Sequence, residues 1–321
     1  MSLIVAIADY AARFTVRSES AFAAARRYLI EALARGFESL RDPECTCFVG
    51  PLVAGAVMPG GARVPGTSLE LDPAQAAFCL GVMLCRSPGE EWPDLPYGCA
   101  TASLAAVLAI ADYVARKASM EGTAPPTIRD LLAASIKALE IQCVLAPVSA
   151  EPIAWAASLR LARLAVAAVA AAQLGATQRQ IVTALSYVSV DGAVATDAEE
   201  PRQGARRDWI LADAMSRAVR HACQAVSSER ARPSMAIDLE IPELVGSSLA
   251  TAFGTESIAR LTNREGPQGI SRVAIRFQSA VDRHFPARQA ERIKALFASP
   301  ARLDDLPVSE LLAALVTNGA R

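Results

Sequence analysis

Apolar residues recur at three- and four-residue spacing through most of the chain, a period that predicts amphipathic and buried helices. "SESAFAAARRYLIEALARGFESL" (18–40) opens on Ser18 as a cap and meets Gly36 near its end. "LDPAQAAFCLGVMLCR" has Asp72 in the capping position and Pro73 at the first helical position, a strong start signal. Further helices are expected at about 100–118, 127–146 (with Thr127 as cap), 153–174, 177–190, 208–226, 286–298 and 307–317. Between 41 and 71 the pattern breaks into prolines, glycines and short β-branched runs, which predicts loop. The stretch 227–272 is polar and proline-broken, and "ISRVAIRFQS" within and after it suits either one short strand or a helix start. No repeat at solenoid periods is visible. The expected fold is mainly α: one helical domain with a small irregular insert.

Composition supports helices that pack closely. Of 321 residues, 52% are hydrophobic and only 5% aromatic, the apolar part being chiefly alanine, leucine and valine. The net charge of −1, from 32 basic and 33 acidic residues without a basic half or tail, leaves no electrostatic footprint for nucleic acid. "MSLIVAIADYAARF" carries Asp9 in its apolar run and no basic segment before it, so no signal peptide is expected. In "AWAASLRLARLAVAAVAAAQLGA" (154–176) Arg160 and Arg163 interrupt the apolar run, and Leu164–Ala172 is too short to span a bilayer. A buried helix is expected there, and no membrane partner. Seven cysteines, an odd number, suit a reduced cytoplasmic setting. Cys45 and Cys47 form a C-x-C pair, but the two histidines are distant in sequence, so no metal site is expected.

One stretch concentrates candidate chemistry. "GARRDWILADAMSRAVRHACQA" (204–225) holds four arginines, His221 and Trp209 beside a run of small residues. Helical spacing puts Asp213, Arg217 and Arg220 within one or two turns of each other. A basic pair, Arg206 and Arg207, just before a helix start is disfavoured by the helix dipole unless an anion offsets it. Two readings follow: a solvated basic patch, or the wall of a site that grips a carboxylate.

Several segments resemble, in order, the MmgE/PrpD family of 2-methylcitrate dehydratases. "GPLVAGAVMPGGARVPGTSLELDPAQAAFCLGVML" is similar to the family's loop and entry helix. "LAAVLAIADYVARKA", "IKALEIQC" and "GATQRQIVTALSYVSVDG" resemble its central helices. "RRDWILADAMSRAVRHA" resembles the helix that the family writes R-K-S-W-A-A-G-D-A-T-S-R, and "FQSAVDRHFPARQAERI" and "LPVSELLAALV" resemble its C-terminal helices. The resemblance covers about residues 20–317. It implies a cofactor-free protein with a large helical domain, a smaller α/β lid, a dimer, and dehydration of tricarboxylic acids. Alanine and glycine faces on the helices expected at 100–118 and 154–174 also ask for a cover, which points the same way.

Such a dehydration needs a base for a proton beside a carboxylate, an acid for the leaving hydroxyl, and cations for the carboxylates. The resemblance assigns the proton-transfer roles to aspartates, two histidines, lysines and a lid tyrosine, and this chain departs at each place. "CRSPGEEWPDLP" replaces D-F-N-D, leaving Glu90 and Glu91 as acidic candidates on what otherwise reads as a solvated loop. "GCATAS" replaces G-H-P-S-D-N, so Cys99 stands where a histidine would, a candidate acid or otherwise a small buried residue. Ser158 stands for the second histidine, and Arg163 and Arg207 for lysines. Arginine keeps the charge but cannot shuttle a proton. His221 lies too far along its helix to replace a lost histidine by position, and His284 suits packing or capping.

The region after His221 is also much shorter than the family's lid, and all five tyrosines lie at or before Tyr187. The expected organisation is therefore 1–227, helical domain; 228–270, irregular remnant of a lid; and 271–321, C-terminal helices returning to the helical domain. Catalytic candidates are Cys99, Glu90 and Glu91; carboxylate-binding candidates are Arg163, Arg206, Arg207 and Arg217. Expected partners are a tricarboxylate and a second copy or a full-length family member. Expected activity is a lost or strongly reduced hydro-lyase reaction. The alternatives are a non-catalytic scaffold or partner subunit, and a lyase or isomerase of new specificity.

Overall fold

Capping chemistry fixes most of the helix starts. In the computed structural model, which describes residues 3–86, 100–145, 155–192, 204–228 and 267–317, the Ser18 hydroxyl accepts from the Ala21 amide at 3.2 Å and opens the helix Glu19–Ser39. Asp72 accepts from the Ala74 and Gln75 amides, both at 3.1 Å, ahead of Pro73–Cys85. Thr177 and Gln180 form a reciprocal capping box ahead of Gln178–Val190. Thr127 and Asp130 exchange the same kind of bonds ahead of Ile128–Leu145.

The elements in order are α1 (Leu3–Arg13), α2 (Glu19–Ser39), α3 (Pro43–Thr46), β1 (Ala62–Arg63), β2 (Glu70–Leu71), α4 (Pro73–Cys85), α5 (Ala100–Glu121), α6 (Ile128–Leu145), α7 (Trp155–Gln173), α8 (Gln178–Val190), α9 (Ala205–Ser227), α10 (Pro267–His284), α11 (Ala287–Phe297), α12 (Pro300–Asp305) and α13 (Val308–Ala314). Among the described residues the only sheet is the antiparallel pair β1–β2, so the fold is mainly α as expected.

The core lies where small side chains let helices approach. α7 carries Leu164 to Ala171 at no more than 2% exposure and packs against α5, α6, α8 and α9. It is long and apolar enough to cross a membrane by composition, but it is enclosed by the chain's own helices. The small-residue faces of α5 and α7 are likewise covered internally. α4 meets α9 at Gly81, where an added Cβ would sit 2.8 Å from the Ala212 Cα. The Ser216 hydroxyl donates to the Ala74 carbonyl at 2.8 Å, so these two helices run antiparallel.

The C-terminal helices return onto the domain. α10 packs on α2, and Arg26 clamps Asp304 through two bonds of 2.8 and 2.7 Å. Arg63 binds the fully buried Asp112 and also the Ser309 carbonyl at 2.6 Å, while His284 reaches the Gly66 carbonyl at 2.8 Å and stacks on Phe37. His284 is thus a packing residue. "ISRVAIRFQS" is helical: Val273, Phe277, Ala280 and Val281 are buried at helical spacing, and α10 begins at Pro267, inside the stretch expected to be irregular. Residues 229–266, which hold most of the expected lid remnant, lie outside the described residues.

Candidate functional site

α7, α8 and α9 frame the candidate site. Arg207 lies over the Trp155 ring, 5.2 Å from its centroid, and Arg163 and Arg217 meet further along the same two helices, so α7 and α9 run parallel. Gln180 at one end of α8 reaches the Val226 carbonyl at 3.1 Å, and Asp191 just past its other end reaches Arg217, so α8 runs antiparallel to α9.

α9 begins at Ala205, earlier than the spacing suggested. Its N-cap is Gly204 at φ 140°, with no side-chain cap. Arg206 and Arg207 therefore lie within the first turn rather than before it, where the helix dipole disfavours them more. Asp208 in the same turn supplies the favourable charge. It is buried, and Arg86 approaches it at 3.4 Å while also binding Asp42 at 2.8 Å and Glu44 at 2.5 Å. Burial pushes the Asp208 pKa up against the opposing pull of Arg86. Arg206 is exposed, and Trp209 is partly exposed with its ring edge-on to Phe78.

The densest cluster centres on Asp191. Arg217 donates from Nε to Oδ2 at 2.8 Å and from Nη2 to Oδ1 at 2.6 Å and to the Asp191 carbonyl at 2.8 Å. Arg163, 2% exposed, donates from Nη2 to the same carboxylate and from Nη1 to the Gly192 carbonyl at 2.9 Å. His221 Nε2 lies 2.9 Å from Oδ2. Burial alone would raise the Asp191 pKa, but hydrogen bonds from Arg217 and His221 and the charge of Arg163 hold it well below the usual carboxylate range. Asp191 is therefore ionised, His221 donates from Nε2, and its Nδ1 is buried without a partner. Burial lowers the Arg163 pKa and Asp191 opposes that shift.

Of the residues expected at the site, the structure brings Arg163 and Arg217 together through Asp191. Arg207 lies ten residues before Arg217, about 15 Å along the helix. Glu90, Glu91 and Cys99 lie outside the described residues. Ser158 is buried on α7. Asp191 and His221 are site residues that sequence spacing did not assign. The signal for His221 was present: Asp213, Arg217 and His221 are spaced i, i+4, i+8 on one stripe of α9.

Burial raises the thiols of Cys79, Cys143 and Cys223 to about 11, which leaves them protonated and poor nucleophiles at neutral pH. Among the described residues no group of three or more metal-ligating side chains converges. A groove of about 830 Å³ opens at the far ends of α7 and α9, between Tyr113, Gln173, Arg220 and Cys223. Another of about 470 Å³ lies between α2 and α10–α11. Neither is lined by the Asp191 cluster.

The chain is similar to known proteins over most of its length. Residues 5–240 match the model of the MmgE/PrpD N-terminal domain. The chain is 39% identical over 235 residues to a 2-methylcitrate dehydratase of Cupriavidus necator, covering 73% of this chain and 49% of that protein. It is 38% identical over 233 residues to the Escherichia coli (strain K12) 2-methylcitrate dehydratase, covering 72% and 48%. To the mitochondrial 2-methylcitrate dehydratase of Yarrowia lipolytica it is 33% identical, covering 71% and 45%. The chain spans about half the length of these curated relatives. By its family match and its helical architecture, the chain belongs to the MmgE/PrpD family.

Proposed function

We propose that this chain is a 2-methylcitrate dehydratase-like protein of tricarboxylate metabolism that keeps a carboxylate-binding cleft and has lost, or strongly reduced, the hydro-lyase reaction. The observation that carries this reading is Arg163. It stands where the family resemblance places a lysine, is 2% exposed, and is engaged by Asp191 and the Gly192 carbonyl. A buried guanidinium tied to a carboxylate orients charge but transfers no proton at neutral pH. With Ser158 in place of a histidine, binding outlasts chemistry, because ground-state clamps do not lower a barrier on their own. Calorimetry with citrate and 2-methylcitrate on the wild type and Arg207→Ala, together with ultraviolet detection of the unsaturated product, tests both halves. Binding without turnover is expected; turnover abolished by Glu91→Gln or Cys99→Ala would establish new catalytic groups instead.

A second reading, a scaffold that pairs with another copy or with a full-length family member, is favoured by one surface. Leu52 (87% exposed), Val53 and Val57 stand out on the loop before β1, and Met120 is also exposed next to Gly60 at the end of that loop. Water-exposed apolar side chains concentrated in this way suit a covered interface. Light scattering at micromolar concentration is expected to show a dimer of the chain alone; a monomer that also stays monomeric when mixed with a full-length family member would remove this reading.

A further inference from the structure

Asp191 does to Arg163 and Arg217 what a ligand carboxylate would do. The Arg217 fork grips both of its oxygens, at 2.6 and 2.8 Å, in the two-point geometry by which guanidinium recognises free carboxylates. Arg163 and His221 add further donors to Oδ2. We propose that Arg163, Arg217 and His221 form a carboxylate-binding site which the chain's own Asp191 keeps filled, so that an external di- or tricarboxylate binds there by displacing it. The proposal deepens the carboxylate-binding half of the function proposed above and rests on it.

Three observations support it beyond the grip itself. Asp191 is not inside a helix: it is the C-cap residue of α8, joined to the helix by one backbone bond to the Tyr187 carbonyl at 3.0 Å, and it is followed by Gly192 at φ 68°. A residue at such a junction can withdraw without breaking helical hydrogen bonds along α8. Among the described residues, Arg217 and Arg160 act on Arg163 with one sign and Asp191 and Asp213 with the other, and Asp213 approaches Arg217 only to 3.8 Å. These described groups stay positive in sum with Asp191 in place, which favours a ligand that brings more than one negative charge.

Two polar atoms at the cluster are also unused. Arg163 Nε and His221 Nδ1 are buried, without a hydrogen-bond partner, on side chains 2% and 9% exposed. One aspartate leaves the Arg163 Nε donor unpaired, and a larger polycarboxylate has an oxygen to spare for it; Nδ1 of an imidazole that donates from Nε2 accepts, and suits a ligand hydroxyl such as that of citrate. An unsatisfied buried donor favours whatever ligand pairs it.

An internal competitor weakens every external one. A tethered group acts at an effective concentration of order millimolar or higher. Removing Asp191 is therefore expected to tighten an external carboxylate at least about tenfold. The probes are acetate, which matches the deleted side chain, and citrate, both at constant ionic strength. In Asp191→Ala, acetate is expected to raise the melting temperature in a dose-dependent way while leaving the wild type unchanged, and citrate is expected to bind at least about tenfold tighter than to wild type by calorimetry.

The control Asp213→Ala removes the same charge without opening the grip and is expected to change citrate affinity by less than about threefold. The double variant Asp191→Ala/Arg217→Met is expected to lose the gain. Should Asp191→Ala not fold, Asp191→Asn keeps the volume, removes the charge and is expected to tighten citrate in the same direction. Citrate binding no tighter in the Asp191 variants, or a gain equalled by Asp213→Ala, overturns the proposal. Turnover of 2-methylcitrate by the wild type would count against lost activity alone, since it leaves these affinity differences to be judged separately.

Discussion

Substituting Gly81 by alanine should destabilise the protein, although alanine is the better helix former. An ideal Cβ at position 81 falls 2.8 Å from the Ala212 Cα and 2.9 Å from its Cβ. Comfortable carbon contacts are about 3.5–4.0 Å, so α4 and α9 would have to separate by several tenths of an ångström or more. The obstructing atoms belong to a helix backbone and cannot swing aside as a long side chain would. Overpacking of this kind costs about 1–3 kcal/mol, and here the upper half applies. Helix propensity returns about 1 kcal/mol. The net expectation is a loss of about 1–2 kcal/mol, with valine worse again. Denaturant unfolding followed by far-ultraviolet circular dichroism measures it as a lower midpoint at unchanged slope. A midpoint raised by the full propensity gain would refute the claim that α4 and α9 meet at Gly81, and with it the placement of α9 that brings Arg217 to Asp191.

Other expectations follow from buried charge. Burial raises the Glu140 carboxyl to about 7, and Tyr10 donates to it. A raised folded pKa means that the stabilising contribution is complete below the unfolded value, about 4.3, and is lost as pH rises through about 7. Glu140→Gln should flatten the fall in melting temperature between about pH 5 and 8, and an unchanged profile would contradict it. Asp191 has the opposite sign: its depressed pKa gives stability that is present above the ordinary carboxylate range and lost on acidification, so Asp191→Asn should be less acid-sensitive than wild type relative to its own neutral-pH stability. Asp112 is fully buried against Arg63, and Asp112→Asn strands that guanidinium, which should cost about 3–5 kcal/mol by denaturant titration.

Much of this fold is legible in local chemistry. Asp72 before Pro73 and the Thr177–Gln180 box fix helix starts through bonds between residues two or three apart, which a sequence displays directly. The ambiguous "ISRVAIRFQS" is settled by tertiary packing: Val273, Phe277 and Val281 select the helical period because α2 offers a surface for them. α1 (Leu3–Arg13) is not among the helices expected from spacing, although it carries an apolar face. The start of α9 is legible only through Gly204, whose φ of 140° no ordinary spacing rule reveals.

The site divides in the same way. Arginines on α7 and α9 stand out as unexpected cations, so Arg163 and Arg217 are found from sequence. Their shared counter-ion is not, because Asp191 lies 26 residues from Arg217 and becomes a partner only when α8 folds back antiparallel to α9. Position along the helix argues against His221 as a substitute for a lost histidine, yet one more turn on the same stripe carries it to Asp191.

The measurement that tests the account most directly is product formation from 2-methylcitrate. General acid–base groups contribute about 10²- to 10⁴-fold each, so replacing a histidine by Ser158 and lysines by Arg163 and Arg207 should leave almost nothing. Purified wild-type protein is predicted to give no ultraviolet-absorbing unsaturated product above background, under conditions where a 2-methylcitrate dehydratase control turns over readily. Sustained product formation by the wild type that is abolished in His221→Ala, Glu91→Gln or Cys99→Ala would contradict the account, since it would show that these helices still carry a working acid–base pair.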